Sequence, residues 1–381
     1  MVDAPASMRT LAADRRFTRL RPAGGGVEFQ VFEATAPDGS KVVLRTPVGG
    51  RFVSTPNDRH VDTRSLLRWE YAVTGHLDRL GFPVATPREL VLGQPDVLVS
   101  DFVTDDGHGA DQVALGALLL RLHHSPPPPV PPVAAHGLPA AYLLPRRIAD
   151  RFAGLATFVA ALPAAPPVER LTAVLASRPA GRIVHLDVRA PNLRCTGGAV
   201  RGLLDWSNAL IGDPAMELGR LAEYALLPEN GFDYEAVLAG YREPVPVDSA
   251  AFWIYRLDAA VMLALLFNSE PSLAELGPRA VDRLREVHLR LSRELSRRAG
   301  PQRRPLSCAR LDSSFEGGRA PRRRPLRCPS PQPQVDQRPV CSSDGLASWL
   351  QPRSRAAWTG ARKRGISAAV QQGVDAFPAP R

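Results

Sequence analysis

Between residues 17 and 53 the apolar positions fall in short runs, FTRLRPAGGGVEFQVFEATAPDGSKVVLRTPV, broken by Gly24-Gly25-Gly26 and by Asp38-Gly39. Short runs rich in β-branched and aromatic residues, punctuated in this way, predict strands, with Asp38-Gly39 closing a tight hairpin. Over 63–80 the period changes. Leu66, Leu67, Val73, Leu77 and Leu80 recur at three- and four-residue steps, an amphipathic helix that Gly81 and Pro83 stop. Two further strands are expected near 89–92 and 96–103. Strands, one helix and two more strands make a small α+β unit over 15–103.

Beyond residue 103 the pattern turns helical. A leucine-rich amphipathic helix is predicted over 113–124, then a stiff spacer at 126–132, where six of seven residues are proline. Helical patterns follow at 147–162 and 167–177, three short strands lie between 183 and 206, and helices return from 214 to about 298. A second, mainly helical domain is therefore expected over 104–300.

Residues 301–381 differ in kind. Leu, Ile, Val and Phe supply only 12 of these 81 positions, while Pro and Arg are dense, a composition that cannot build a core and predicts disorder; a frameshifted or mis-annotated coding end would look alike. This segment also carries the whole charge imbalance. It holds 15 basic and 5 acidic residues, the entire formal +10, and leaves 33 of each sign in residues 1–300. The body is neutral, so any attraction to nucleic acid or anionic lipid is confined to the tail, and nucleic acid is not expected as a partner. One cysteine, Cys195, lies in the body, and Cys308, Cys328 and Cys341 in the tail match no zinc spacing. No run reaches the length of a signal peptide's apolar core or of a membrane span, and a cytoplasmic protein is expected.

The chemistry concentrates in residues 183–221, IVHLDVRAPNLRCTGGAVRGLLDWSNALIGDPAMELGRL. Asp187 ends a short strand, Asn192 follows five residues later, and Asp205 stands thirteen further on. Phosphoryl transfer from ATP needs a partner for the acceptor hydroxyl and an oxygen cage for Mg²⁺, because its catalysis is mostly positioning and charge neutralisation. Two strands joined at Thr196-Gly197-Gly198 would bring Asn192 and Asp205 together. The order H-x-D-x-x-x-x-N…D is that of kinase-like catalytic loops.

HLDVRAPN followed by LLDW and GDPAMELGRL resembles the aminoglycoside phosphotransferase family, with its HGDxxxxN, (I/V)DW and GDPxxDLA patterns. The resemblance implies a protein-kinase-like, two-lobed α+β fold, ATP and Mg²⁺ as cofactors, and a small molecule bearing a hydroxyl as acceptor. It makes Asp187 the catalytic base, Asn192 and Asp205 the metal ligands, and Asp213 a buried structural carboxylate. Arg189 takes the place from which protein kinases point a lysine at the transferred phosphate. Gly24, Gly25 and Gly26 resemble the phosphate-covering turn. KVVLRT ends in Arg45 where a nucleotide-binding lysine is usual, with Glu70 as its partner, and the run to Asp101, Phe102 and Val103 resembles the hinge that receives adenine. Lys41, four residues along the same strand, would stand about 13 Å away. The pattern departs at Arg45, at Leu186 for glycine, and at Glu217 for aspartate. The leucine is expected to cost little if its side chain turns from the phosphate.

A protein kinase is disfavoured, since Asp205 and Asp213 are eight residues apart and no A-P-E follows. A degenerate, non-catalytic nucleotide binder is the main rival. For a polycationic antibiotic the candidate carboxylates are Glu217, Glu223, Asp258 and Glu270. Trp253, Tyr255 and Arg256 could line a sugar or macrolide pocket, and amino alcohols and hydroxy amino acids are the other acceptors.

Overall fold

The computed structural model describes residues 4–25, 28–50 and 62–298. Gly26 of the glycine turn and the whole 301–381 segment therefore lie outside the described residues. A short helix, α1 (Ala6–Asp14), precedes β1 (Thr18–Gly25), β2 (Phe29–Thr35) and β3 (Lys41–Pro47). The helix α2 (Thr63–Arg79) follows, then β4 (Pro87–Val91) and β5 (Val97–Asp101). These strands form one antiparallel sheet in the order β1-β2-β3-β5-β4. At the β2–β3 hairpin Gly39 has φ +82°, a conformation glycine adopts freely, and the Asp38 carboxylate accepts the Ser40 N–H at 2.9 Å.

Strand alternation gives the sheet two apolar faces. Val42, Leu44, Phe32, Val97 and Val99 pack on Met8 and Leu11 of α1, while Phe29 and Leu98 pack on Leu66 and Leu67 of α2. The helix α1 was not legible in advance. Only Met8, Leu11 and Ala12 of its nine residues are buried, too few for a period to show.

The second part contains α3 (Gln112–His124), α4 (Ala140–Leu155), α5 (Val168–Leu175), α6 (Ala215–Tyr224), α7 (Tyr234–Tyr241), α8 (Ala250–Ser269) and α9 (Gly277–Arg298). Between α5 and α6 lie two small antiparallel pairs, β6 (Arg182–Val184) with β9 (Leu210–Gly212), and β7 (Leu193–Thr196) with β8 (Ala199–Leu203). The helix expected from residue 147 begins at Ala140 instead. It runs through a buried Pro145, because packing of Leu143, Leu144 and Ile148 outweighs the lost N–H. Helix α8 is long and apolar enough to cross a bilayer, but 83% of its most apolar 18 residues are buried inside the fold, where it packs on α4, α6 and α9.

Candidate active site

Two stretches meet at Asp187, its own loop and helix α6, and the β7–β8 hairpin brings the Asp205 turn alongside. The β7–β8 hairpin pairs Leu193 with Leu203, and the Leu204 N–H donates to the Asn192 carbonyl at 2.8 Å. This sets Asn192 beside the turn that carries Asp205, as the glycine turn in the sequence suggested. Asp187 is buried, and its carboxylate is held by three donors. Asn192 Nδ2 donates to Oδ2 at 2.8 Å and to the Asp187 backbone oxygen at 2.9 Å. Arg189 Nε lies 3.3 Å from Oδ2, and the Tyr224 hydroxyl donates to Oδ1 at 3.0 Å. Arg189, expected to face a phosphate, thus turns onto Asp187 itself, leaving its side chain 43% exposed.

The loop around Asp187 is clamped from below by one face of α6. The Glu217 carboxylate accepts the backbone N–H groups of His185 and Leu186, and Arg220 donates to the Leu186 carbonyl. With Tyr224, these residues sit at i, i+3 and i+7, one stripe of a helix. Burial pushes the Glu217 carboxyl up to about 7, against the pull of the two N–H donors. Burial and the Asp187 charge raise the Tyr224 phenol, which stays protonated as a donor. Leu186 has φ +61°, where glycine is the comfortable residue, and its side chain is buried in the main core. The side chain does turn inward, but the cost anticipated as small is carried by the backbone.

His185 acts within this loop. Its Nδ1 accepts the Asp187 N–H at 3.1 Å and its Nε2 meets the Leu204 carbonyl at 3.0 Å, an arrangement that fits one neutral tautomer. Burial lowers its pKa to about 4. The ring meets Trp206 edge-on at 4.5 Å between centroids. Trp206 is fully buried, donates to the Leu203 carbonyl, and offers its own carbonyl to Trp69 Nε1 on α2 at 3.0 Å. The tryptophan after Asp205 therefore pins the Asp205 turn to both α2 and His185.

Arg45 projects from β3 between two carboxylates. Its Nη1 reaches both oxygens of Glu70 at 2.9 Å, and its Nη2 reaches Asp205 Oδ1 at 2.7 Å. Its guanidinium stacks over Phe29 at 4.3 Å. Burial and the Asp205 charge raise Glu70 to about 7 despite the guanidinium. Burial works against ionisation of Asp205 too, but Arg45 and the Ser207 hydroxyl outweigh it and bring the group to about 2. Asp205 stands at φ +64°, a strained position that aspartate tolerates better than most residues. Lys41, by contrast, pairs with Glu33 at 3.2 Å and lies over Phe102.

Gly24 and Gly25 end β1, paired with Val31 and Gln30. In the expected hinge the Asp101 N–H donates to the Thr86 carbonyl, the Phe102 N–H donates to the Lys41 carbonyl, and the Asp101 carboxylate faces Arg88. Those two N–H groups are committed to backbone partners within the sheet. Val103 remains, and its side chain lies 3.1 Å from where a Cβ on Gly202 of β8 would be, so Gly202 admits it there.

Of the carboxylates considered for a polycation, Asp258, Glu223 and Glu217 are engaged by arginines or by backbone N–H groups. Asp258 accepts from Arg147 and Arg151 and has Arg220 at 3.9 Å. Glu223 is paired with Arg256 and Arg283, and Glu217 lies beneath the loop. Tyr255 is buried against Asp213, which Arg178 also holds, and Trp253 stacks with Arg256 and Arg290. Among the described residues, no group of three or more His, Cys, Asp or Glu side chains is placed to hold a metal.

A family model described as the phosphotransferase enzyme family matches residues 19–253. A solved thermostable mutant of the aminoglycoside phosphotransferase APH(4)-Ia, in ternary complex with AMP-PNP and hygromycin B, is 15% identical; the match covers 78% of this chain and all of that one, with TM-score 0.50. The macrolide 2′-phosphotransferase MphH from Brachybacterium faecium is 21% identical over 72% of this chain and 96% of that one, with TM-score 0.43. A choline/ethanolamine kinase family protein from Mesorhizobium loti is 17% identical over 76% and 98%, with TM-score 0.47. No curated protein matches.

Proposed function

The chain belongs to the phosphotransferase enzyme family, and we propose that it moves the γ-phosphate of ATP to a hydroxyl group of a small molecule. The observation that carries this reading is the Asp187 carboxylate, immobilised by Asn192, Arg189 and Tyr224 next to the Asp205 turn. Asp187 would orient the acceptor hydroxyl and take its proton, and the half-exposed Arg189 would offset charge building up beside it. The nucleotide would lie between residues 15–103 and 104–300, under the Gly24–Gly25 end of β1 and against Val103.

The donor set suits a hard cation. Asn192 commits its amide nitrogen to Asp187, and among the described residues no donor reaches its Oδ1 or the Oδ2 of Asp205. Two such oxygens fit Mg²⁺, which when bound neutralises phosphate charge. Arg45, anchored by Glu70, would meet the phosphates from the β3 side.

On the acceptor, the arginine cover over Glu223 and Asp258 argues against a polycation held by those groups. A neutral or weakly charged alcohol, such as a sugar or macrolide hydroxyl, suits the lobe better. A dependence on ATP would suit a reaction in the cytoplasm. The test is Mg·ATP-dependent phosphate transfer by the full chain to a panel of macrolides, aminoglycosides and amino alcohols, beside Asp187→Asn. Transfer to one member that disappears in the variant is the expected result. Undiminished turnover by Asp187→Asn would refute the assignment of the base.

A further inference from the structure

We propose that Arg45 makes metal binding at Asp205 conditional on a bound polyphosphate; the inference rests on the kinase reading and deepens it. The planar guanidinium serves two carboxylates at once, Glu70 through Nη1 and Asp205 through Nη2. A lysine ammonium is a point charge on a flexible stem and lacks the fork that spans both. Arg45 is also fixed in place. Its side chain is 13% exposed, it stacks on Phe29 at 4.3 Å, and Glu70 holds it from α2.

Asp205 Oδ1 already accepts from Arg45 at 2.7 Å and from the Ser207 hydroxyl at 2.7 Å. Only Oδ2 is left for a cation. A dication there meets a carboxylate whose charge the guanidinium has neutralised, and it meets that guanidinium within a few ångströms, where like charges repel strongly in a partly buried site. A polyphosphate between them adds negative charge that both cations share. Metal and nucleotide therefore bind as a unit, and the metal alone binds weakly. The position where the family pattern has lysine is what sets this dependence.

The test uses Mn²⁺ as probe, with free Mn²⁺ read by its EPR signal against the full chain, without nucleotide. Arg45→Met keeps the apolar stem and removes the charge; it should bind Mn²⁺ at least tenfold more tightly than wild type. Asp205→Asn in the same background should abolish the gain. Arg45→Lys, which keeps a partner for Glu70, should show a smaller gain and serves if the methionine variant does not unfold cooperatively. Folded variants that bind Mn²⁺ no more tightly than wild type would overturn the inference alone. A wild type that fails to bind Mn²⁺ together with a non-hydrolysable ATP analogue would overturn the kinase reading and this inference with it.

Discussion

Leu186 can be used to measure the strain in the loop around Asp187. It stands at φ +61° with its side chain 2% exposed. The left-handed conformation costs an L-residue about 1–2 kcal/mol and costs glycine nothing. Leu186→Ala keeps that cost and loses the buried side chain, a loss of roughly 2–5 kcal/mol. Leu186→Gly loses the same side chain and a methyl more, but relaxes the backbone. Glycine normally trails alanine by about 0.5–1 kcal/mol through the entropy of the unfolded chain. The relaxation exceeds that deficit, so the glycine variant should be the more stable of the two by about 0.5–1 kcal/mol. Both variants keep the N–H that Glu217 accepts and the carbonyl that Arg220 reaches, so the difference isolates the backbone term. Urea unfolding of the two variants, read by far-UV circular dichroism, supplies the number. An alanine variant equal to or more stable than the glycine variant would refute the strain argument.

Acid should act through His185. Its pKa falls from 6.5 to about 4 in the fold, chiefly by burial, so its contribution is whole above pH 6.5 and is lost as pH drops toward 4, about 3 kcal/mol in total. Wild type should therefore lose that much more stability than His185→Gln between pH 7 and pH 4, and parallel denaturation curves at both pH values would contradict it. Tyr224→Phe removes only the hydroxyl on Asp187 Oδ1. Turnover should fall about tenfold, a loss of ~1.4 kcal/mol, with stability changed by about 1 kcal/mol and ATP affinity unchanged; isothermal titration separates this from general damage, which would weaken ATP binding too.

Much of the small lobe was readable because its signals are local. Asp38-Gly39 specifies its own hairpin, and the spacing from Leu66 to Leu77 specifies α2. The pairing of Arg45 with Glu70, and of Asn192 with the Asp205 turn, followed from motif order. What stayed hidden is contact across long separations. Nothing near Asp258 announces Arg147 and Arg151, more than a hundred residues earlier, so it read as a free carboxylate. Glu223 misled for the same reason. Tyr224 had a usable signal, the i, i+3, i+7 spacing of Glu217, Arg220 and Tyr224 after GDP, but a polar stripe on a helix normally faces water. The second carboxylate on Arg45 was unreadable, since it depends on how far the guanidinium fork extends toward the other lobe.

The clamp from α6 has a consequence for descent with modification. Everything that fixes the Asp187 carboxylate comes from the loop itself or from the helix beneath it: Asn192, Arg189, Tyr224, Glu217 and Arg220. None of this scaffolding reaches in from the helices α4, α8 or α9. Mutations in those helices can therefore accumulate while the Asp187 carboxylate keeps its orientation. One framework can change customers without being rebuilt.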